Sequence, residues 1–341
     1  MKIRLYTMEY PPFKGGVGNY YAGLVKAIEP VQKVGVTTIN HTARFWQVLL
    51  MMVFSKVEYL WVGHILPIGT AAYICNRLFK KKYFVSLHGM DINLAQKNKP
   101  SLTAKILKHA EFITVNSEYT KKQINNYEEL MSKIIVVYPC PNVDNANVEK
   151  SLIEQVKSSY SLENKKIILS VGRLVERKGV QNVIQVMPEI LQTYPEALYV
   201  IIGSGEHLPE LKRMVQVKNL EKNVLILTGV GNSELAAFYS LADLFIMPTI
   251  DDGMDVEGFG IVYLEAGVFG KPVIATPVGG AKEAVKDNVT GIFTSRETMV
   301  SDIIKLLKDK SFADELGANA KNIIKKEYTY TAQAKKILQR I

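Results

Sequence analysis

The chain has 341 residues, 48% of them hydrophobic and 22% charged, a composition typical of globular proteins that excludes a disordered scaffold. That length is enough for two domains. The formal net charge is +9, and the two cysteines, Cys75 and Cys140, form no CxxC pair, which argues against a zinc site or a disulfide framework and suits a reducing cytosol.

Short apolar runs alternate with helical patterns through the first half of the chain. Residues 1–8 predict a first strand and not a signal peptide. Strands are predicted at KIRLYTM, VGVTTIN, VEYLWVG, YFVSLHG, FITVNS and KIIVVYP. Helices are predicted near residues 18–29, 43–54, 67–80, 101–109 and 118–130.

The second half restarts this alternation after a polar, turn-rich segment near residues 139–165, where we place the domain boundary. Strands are predicted at KIILSVGR, LYVIIGSG, NVLILTG, LFIMPT, PVIATP and GIFT. Helices are predicted near residues 179–193, 207–218, 233–241, 260–270, 279–286, 297–308 and 311–326. Strict alternation predicts an α/β fold with a doubly wound parallel sheet of about six strands in each half.

The charge is distributed unevenly between the two halves. Residues 1–145 contain 18 Lys and Arg against 9 Asp and Glu, whereas residues 146–341 contain 24 of each. The first half therefore carries the whole excess, with a basic cluster at RLFKKK, residues 77–82. This pattern predicts contact with a membrane surface, a nucleic acid or an acidic substrate. Nucleic acid is the least favoured, since no stacking aromatic platform is interleaved with the basic residues.

The most apolar segment is FWQVLLMMVF, residues 45–54. It is too short to span a bilayer, which needs about 20 residues. A buried helix is the favoured interpretation, and an element lying at a membrane surface is the alternative.

Ligands of parallel sheets bind beyond the carboxyl ends of the strands, so the residues after each strand are the candidates for a site. The first strand precedes YPPFKGGVG, whose glycines, among them Gly16, open a helix and favour an anion such as phosphate. A dinucleotide site would also need an acid near residues 38–41, which read Thr-Ile-Asn-His. A dinucleotide cofactor is therefore disfavoured.

Two further strand ends carry candidate polar groups. The fourth strand leads into HGMD, where His88 can donate to a sugar hydroxyl or exchange a proton near neutral pH. The first strand of the second half leads into GRLVERKG, where Arg173 and Lys178 form a possible clamp for a pyrophosphate. Surface ion pairing is the alternative for this pair.

The most informative segment is PTIDDGMDVEGFGIVYLE, which ends a strand and opens an apolar helix. Backbone amides at residues 259–261 face outward at the helix start and suit a phosphate. Glu257 and Glu265 offer only acceptors and so match sugar or ribose hydroxyls. The favourable interaction of a carboxylate with the helix dipole is an alternative explanation for Glu257. It does not explain Glu265, which lies within the apolar helix.

Asp251, Asp252 and Asp255 in the same segment invite the hypothesis of a metal site. The spacing of DDGMD lacks the alternating acids, central Gly and later Glu of a calcium loop. A solvated loop with a sugar contact is the favoured interpretation.

These motifs in this order, YPPFKGGVG, HGMD, GRLVERKG, EGFGIVYLE and GKPVIATPVGG, resemble the retaining glycosyltransferases of family 4 along the whole chain. The resemblance implies a GT-B fold of two Rossmann-like domains facing across a cleft. It implies a first domain of residues 1–145 on the acceptor side, a nucleotide-sugar domain of residues 146–328, and a final segment, 329–341, that packs back on the first.

The resemblance also implies a role for each matching residue. Arg173 and Lys178 would hold the donor diphosphate, Glu265 the ribose, and Glu257 and His88 the transferred sugar. Backbone contacts to the donor would come from Gly16, Gly229, Phe259, Gly260 and Ile261. No metal and no further cofactor is expected, because the cations offset the charge of the leaving diphosphate.

We therefore predict a hexosyltransferase that uses a UDP- or GDP-sugar and keeps the anomeric configuration. Because the first domain is basic, a lipid-linked or membrane-lipid acceptor for envelope glycan or glycolipid synthesis is favoured, with the chain peripheral on the inner face of the cell membrane. The alternatives are a soluble acceptor such as a sugar phosphate, or an epimerase or hydrolase of the same fold.

Overall fold

The computed structural model describes residues 2–12, 15–40, 45–124, 128–142, 148–251 and 256–341. The chain divides into two units, one of Met1–Cys140 with Tyr328–Ile341 and the other of Pro141–Glu327. Each unit contains one six-stranded sheet whose strand pairs are all parallel. The predicted fold class, with a doubly wound parallel sheet in each half, is confirmed.

The elements of the first unit follow the predicted alternation. Its strands are β1 (Lys2–Thr7), β2 (Lys33–Thr38), β3 (Tyr59–Val62), β4 (Lys82–Leu87), β5 (Ile113–Val115) and β6 (Ile134–Val136). Its helices up to β6 are α1 (Gly16–Ile28), α2 (Phe45–Val53), α3 (Ile68–Phe79), α4 (Met90–Asn98), α5 (Pro100–His109) and α6 (Glu118–Lys122). The strand order is β2-β1-β3-β4-β5-β6.

The second unit begins with an additional helix and then alternates in the same way. Its strands are β7 (Lys166–Val171), β8 (Ala197–Ile202), β9 (Val224–Leu227), β10 (Leu244–Met247), β11 (Val273–Ala275) and β12 (Gly291–Phe293), in the order β12-β11-β10-β7-β8-β9. Its helices are α7 (Lys150–Ser159), α8 (Val180–Thr193), α9 (Leu208–Val217), α10 (Asn232–Leu241), α11 (Ile261–Val268), α12 (Ala281–Ala284), α13 (Met299–Lys308) and α14 (Lys310–Glu327).

Both faces of the first sheet are covered by apolar side chains. One core cluster includes Tyr6, Leu60 and Tyr83 and is closed by α2, α3 and α5. The other includes Trp61 and Phe84 and is closed by α1 and by the last helix of the chain, α15 (Tyr330–Leu338). Strand residues buried on both faces explain why the predicted strands read as continuous apolar runs.

Helix α15 belongs to the first unit because its contacts are made there. The Tyr330 ring lies against α1 at Gly23, where an added Cβ would come within 2.2 Å of the ring. The Tyr330 hydroxyl donates to the Asn19 carbonyl at 3.3 Å, and the Lys336 ammonium donates to the Val136 carbonyl at 2.9 Å. The end of the chain is thus a structural part of the first sheet's helical layer.

One helix prediction is wrong, and two helices were not predicted. The helix predicted over 118–130 ends at Lys122, and a 3-10 helix covers Glu128–Lys133. Helices α4 and α7 were not predicted, and α7 lies inside the segment expected to be irregular. In α4 only Ile92 and Ala95 are buried, and in α7 only Val156, so neither helix has the apolar stripe by which a helix is recognised in a sequence.

Candidate functional site

The strand order of the second sheet determines where a ligand can bind. The chain runs from β7 to β8 and β9 on one side, and then β10 pairs with the opposite edge of β7. Doubly wound sheets bind ligands at such a reversal, beyond the carboxyl ends of the two strands. Here β7 leads into the segment 172–179 and β10 into the segment 248–260, which contain the candidate residues from the sequence.

Glu257 lies at this reversal in a buried ion-pair cluster. Its carboxylate accepts hydrogen bonds from the Lys178 ammonium and, at 3.2 Å, from Arg177 Nη1. The three side chains are all about nine-tenths buried. Arg177 was not among the predicted residues, although it stands beside Lys178 in GRLVERKG and its charge could have indicated it.

Glycines explain how the two segments approach each other so closely. Gly179 adopts a φ of 71°, and a Cβ there would come within 1.8 Å of the Pro248 carbonyl oxygen. A Cβ at Gly279 would come within 2.3 Å of the Glu257 carbonyl oxygen, which accepts from the amide of Gly280 at 2.8 Å. The glycines of GRLVERKG and of GKPVIATPVGG therefore allow the backbone contacts that hold Glu257 beside Lys178.

The charges around Glu257 determine its ionisation. Burial alone would raise the pKa of this carboxyl, but the charges of Lys178 and Arg177 and their hydrogen bonds outweigh burial and lower the pKa below its usual value. Glu257 is therefore ionised at neutral pH. The cluster presents one carboxylate and two cations at the ligand-binding edge of the sheet.

Glu265 is buried and forms no ion pair with any residue that the structure describes. It lies in α11, where the Tyr239 hydroxyl donates to its Oε2 at 3.0 Å. Burial raises the pKa of Glu265 to about 7, and the hydrogen bonds from Tyr239 and the Asn142 backbone only partly offset it. Tyr239, whose ring stacks on Phe269 at 5.5 Å, gave no signal in the sequence because it lies 26 residues away in another buried helix.

The start of α11 presents backbone donors. Gly260 precedes the helix with a φ of 88°, a conformation that favours glycine. The amides of Gly260 and Ile261 donate to no residue that the structure describes, as expected at a helix N-terminus. The Phe259 side chain is buried and anchors this turn.

Two predicted residues lie apart from the ion-pair cluster. Arg173 follows β7 with an exposed side chain and forms no ion pair with a described residue. Gly229 follows β9 with a φ of 75°, and an added Cβ would meet nothing within 4 Å. The left-handed backbone at this position is a sufficient reason for a glycine there. The open space around it also leaves room for a ligand.

In the first unit, His88 follows β4 and is positioned by three contacts. Its amide donates to Asp91 Oδ1 at 2.9 Å, and its carbonyl accepts from Asn116 at 3.3 Å. The third contact joins its ring Nε2 to the Tyr21 hydroxyl at 2.7 Å. Burial is the main cause that lowers the pKa of His88 to about 4, so the ring is neutral at pH 7.

The contacts of Tyr21 identify the tautomer of this ring. The Tyr21 hydroxyl lies 2.6 Å from the Gly63 carbonyl oxygen, which can only accept, so the hydroxyl proton is donated there. His88 Nε2 must then carry the proton that the Tyr21 oxygen accepts. The Nδ1 atom of His88 is therefore left as a hydrogen-bond acceptor. Tyr21 was not among the predicted residues.

The reversal of the first sheet lies between β1 and β3 and carries a second polar pair. His64 Nε2 lies 3.6 Å from a Glu9 carboxylate oxygen, and the Met8 amide donates to His64 Nδ1 at 3.4 Å. Gly16 opens α1 nearby in sequence, and an added Cβ there would meet nothing within 4 Å. Neither Glu9 nor His64 was predicted from the sequence.

The three aspartates of the segment DDGMD, for which the sequence suggested a possible metal site, lie partly outside the described residues. Asp251 is exposed, while Asp252 and Asp255 are not described. Among the residues that the structure describes, no group of three or more His, Cys, Asp or Glu side chains is arranged to hold a metal ion.

Comparison with known proteins identifies the family. The model of the family described as glycosyl transferases group 1 matches residues 153–323, half of the chain, and the chain belongs to this family. This confirms the resemblance drawn from the motifs. The chain is a group 1 glycosyltransferase.

Two curated relatives illustrate the range of the family. The chain is 25% identical, over 92% of its length and 91% of the relative's, to the GDP-mannose-dependent alpha-(1-6)-phosphatidylinositol monomannoside mannosyltransferase of Mycolicibacterium smegmatis. It is 27% identical, over 80% of its length and 71% of the relative's, to the N-acetyl-alpha-D-glucosaminyl L-malate synthase of Bacillus anthracis.

Solved structures show the same fold over the whole chain. HepE of Anabaena, solved in complex with UDP, superposes with a TM-score of 0.84 over 99% of both chains at 17% identity. Sucrose-phosphate synthase of Thermosynechococcus elongatus superposes with a TM-score of 0.78 over 99% of this chain and 97% of that chain, at 20% identity. The fold is therefore of the GT-B type.

Proposed function

We propose that this glycosyltransferase moves a hexosyl group from a UDP- or GDP-sugar to a hydroxyl of a lipid-linked or membrane-lipid acceptor, with retention of the anomeric configuration. The observation that carries the donor part is Glu265. A carboxylate buried without a cation costs folding free energy, and such a cost is usually retained for function. A vicinal diol such as ribose supplies two hydroxyl donors that suit the remaining acceptor sites of this carboxylate.

The cations of the second unit fit the leaving group. As the bond to the sugar breaks, negative charge develops on the departing diphosphate, and fixed cations and helix amides stabilise it without reorganising. We assign this role to Lys178 and Arg173, with the amides of Gly260 and Ile261. Lys178 is already positioned by Glu257, whose remaining lone pairs suit hydroxyls of the transferred sugar. No metal is needed for this charge balance.

Retention of configuration is proposed through attack of the acceptor from the face that the diphosphate leaves. A double displacement would need a nucleophile that is not already engaged, and Glu257 is held by two cations. The bond from the acceptor oxygen to the anomeric carbon forms as the bond to the diphosphate oxygen breaks, and the acceptor proton passes to that oxygen. Donor contacts by His88, Gly16, Phe259 and Gly229 follow from the family resemblance.

The acceptor assignment is supported by a relative and by charge. The M. smegmatis relative is named for transfer from GDP-mannose to a phosphatidylinositol monomannoside. The first unit, with its C-terminal helix, holds 21 Lys and Arg against 8 Asp and Glu, whereas the second holds 21 against 25. An anionic membrane surface attracts such a unit. We therefore propose a peripheral location on the inner face of the cell membrane.

A soluble acidic acceptor is the second candidate. The B. anthracis relative is named as a synthase of a glucosaminyl malate, and a basic unit would attract malate or a sugar phosphate as well. The two candidates differ in whether transfer requires lipid.

The donor proposal is tested by thermal unfolding with UDP, GDP and ADP and their sugars. A ligand present at 100 times its Kd adds about 2.7 kcal/mol to the free energy of unfolding. We expect at least one nucleotide to raise the Tm of the wild type and to leave Lys178→Met and Glu265→Ala unchanged. If no nucleotide raises the Tm, or if both variants respond like the wild type, the donor site is assigned wrongly.

A further inference from the structure

Helix α2 combines an apolar character with an exposed face. It contains no charged residue, and its side chains Val48, Leu49 and Met52 are buried against the sheet. A helix that is apolar all round is normally buried on every side. Here Trp46 remains 68% exposed and Phe54, just past its end, 77% exposed, with Leu50 between them. At spacings of four residues these three side chains lie along one face.

The exposed face continues onto the last turn of α3. The Lys81 ammonium donates to the Ser55 carbonyl, which brings the ends of the two helices together. Leu78 and Phe79 are exposed there. The described residues expose eleven large hydrophobic side chains, and six belong to this surface, so they are not the singly scattered residues found on any protein. We name this surface the α2–α3 face; it consists of Trp46, Leu50, Met51, Phe54, Leu78 and Phe79.

Basic side chains border the α2–α3 face. Arg77, Lys80 and Lys82 are exposed beside Leu78 and Phe79, and Lys56 is exposed beside Phe54. The acidic residue nearest in sequence to these basic side chains is Glu58, which is also exposed. An apolar strip with tryptophan and phenylalanine, bordered by cations, matches the boundary between acyl chains and anionic headgroups.

We propose that the α2–α3 face docks on an anionic lipid surface, with α2 lying in the plane of the headgroups. This inference rests on the proposed function and names the surface that brings the enzyme to its lipid acceptor. The apolar strip enters the headgroup region, and the basic residues pair with lipid phosphates. None of the helices in the described part of the chain combines the length and apolar character that a membrane crossing requires, so attachment through this helix is superficial.

The topology of the first sheet orients the docked helix. Helix α2 connects the carboxyl end of β2 to the amino end of β3, so Trp46 lies toward the carboxyl edge of the sheet and Phe54 toward the opposite edge. The carboxyl edge carries His88, His64 and Gly16. A lipid whose headgroup lies near Trp46 is therefore at the end of the unit where an acceptor hydroxyl would react.

Tryptophan fluorescence tests the docking directly, because the chain has only two tryptophans. Trp61 is fully buried and donates to Ser86 at 2.8 Å, so its emission is insensitive to lipid. We expect phosphatidylglycerol vesicles to shift Trp46 emission to the blue and brominated lipids to quench it. The variant Trp46→Phe should still sediment with vesicles but lose both signals.

Binding variants separate the apolar and the basic contributions. Sedimentation with anionic vesicles should weaken at least tenfold in Trp46→Ser/Leu50→Ser/Phe54→Ser. It should weaken at least about 25-fold in Arg77→Glu/Lys80→Glu, since each basic residue near an anionic surface contributes about fivefold and the new carboxylates are repelled. The matched controls are Val217→Ser/Val289→Ser and Lys212→Glu/Lys218→Glu, exposed residues of the second unit, which should bind like the wild type.

Two results would overturn the proposal. One is a failure of the wild type to show salt-sensitive binding to anionic vesicles. The other is a blue shift of Trp46 that grows with protein concentration without lipid and accompanies a doubled mass, since the face would then join two copies of the chain. Vesicle binding is measured without donor, so its failure leaves the donor site untouched, and failure of the nucleotide screen leaves docking untouched.

Discussion

Glu257 and Glu265 are both buried in the second unit, and their surroundings shift the pKa values of the two carboxyls in opposite directions. Glu257 is held ionised by Lys178 and Arg177, whereas Glu265 accepts, among the described residues, from the Tyr239 hydroxyl and the Asn142 backbone. Both belong to EGFGIVYLE, where a favourable charge at the helix start could explain Glu257 but not Glu265. The partners of each carboxylate come from distant segments and could not be predicted from the sequence. Glu257 pairs with the two cations that hold it, while burial raises the pKa of Glu265 and so disfavours its ionised form in the folded state.

The substitution Glu265→Gln should therefore stabilise the free protein at high pH. Because the pKa of Glu265 is raised from 4.5 to about 7, the folded state disfavours the ionised form. This penalty is absent below about pH 4.5, grows as pH rises and is complete above about pH 7. We expect the variant to unfold with a free energy higher by about 3 kcal/mol at pH 8 and close to that of the wild type near pH 4.5.

Denaturant unfolding between pH 4.5 and pH 8 measures this difference. Glu210→Gln serves as the control, since Glu210 is paired with Arg213 on the surface and should show no gain at high pH. A Glu265→Gln variant that is less stable than the wild type at pH 8 would mean that the carboxylate is a structural requirement and not a ligand contact.

The contacts of Tyr21 also predict the tautomer of the His88 ring. In ¹⁵N spectra of the protein with labelled histidine, we expect a neutral ring at pH 7 with the proton on Nε2, because Tyr21 donates its own proton to Gly63. Replacing Tyr21 with Phe removes the acceptor of that proton, and both tautomers should then be populated. Turnover should fall in Tyr21→Phe while the donor KM changes little.

Tyr20 provides the control, since its ring also contacts His88 edge-on but its hydroxyl donates to Val137. Tyr20→Phe should leave the tautomer unchanged. A protonated ring at pH 7, or a proton on Nδ1 in the wild type, would show that Tyr21 does not position His88 in this way.

At the scale of elements, the sequence predicts strands well and short helices poorly. All twelve strands that the structure describes fall within the predicted apolar runs or one residue from them, because parallel strands buried on both faces are continuously apolar. Helices α4 and α7 bury only one or two side chains each, too few to give a recognisable apolar periodicity. Contacts between distant segments, such as Tyr330 with Gly23, follow from the fold and leave no local signal.

Two glycines of α1 should respond oppositely to alanine. At Gly23 a Cβ would overlap the Tyr330 ring, so Gly23→Ala should destabilise the protein by about 1–3 kcal/mol despite the better helix propensity of alanine. At Gly16 a Cβ meets nothing, so Gly16→Ala should keep or slightly raise the stability.

Thermal unfolding and donor titration separate the two variants. If Gly16 approaches the donor phosphate, Gly16→Ala should weaken donor affinity without loss of Tm, whereas Gly23→Ala should lower Tm. Unchanged donor affinity in Gly16→Ala would remove Gly16 from the donor site.

At the scale of the whole molecule, composition and alternation predict two parallel α/β sheets, but not their strand order. The reversals between β1 and β3 and between β7 and β10 emerge only from the folded sheets. They explain why Glu257 and Lys178, 79 residues apart, meet in space. They also explain why Glu9 and His64 could not be recognised as a pair.

Release of nucleoside diphosphate measures most directly whether a nucleotide sugar reacts at Glu257 and Lys178. With a panel of nucleotide hexoses and anionic vesicles containing a bacterial lipid extract, we predict release by the wild type that depends on lipid and on one donor. Release should fall at least 100-fold in Glu257→Gln and Lys178→Met, while Glu210→Gln releases like the wild type. Lipid-dependent release that is undiminished in Glu257→Gln and Lys178→Met would contradict a reaction at these two residues.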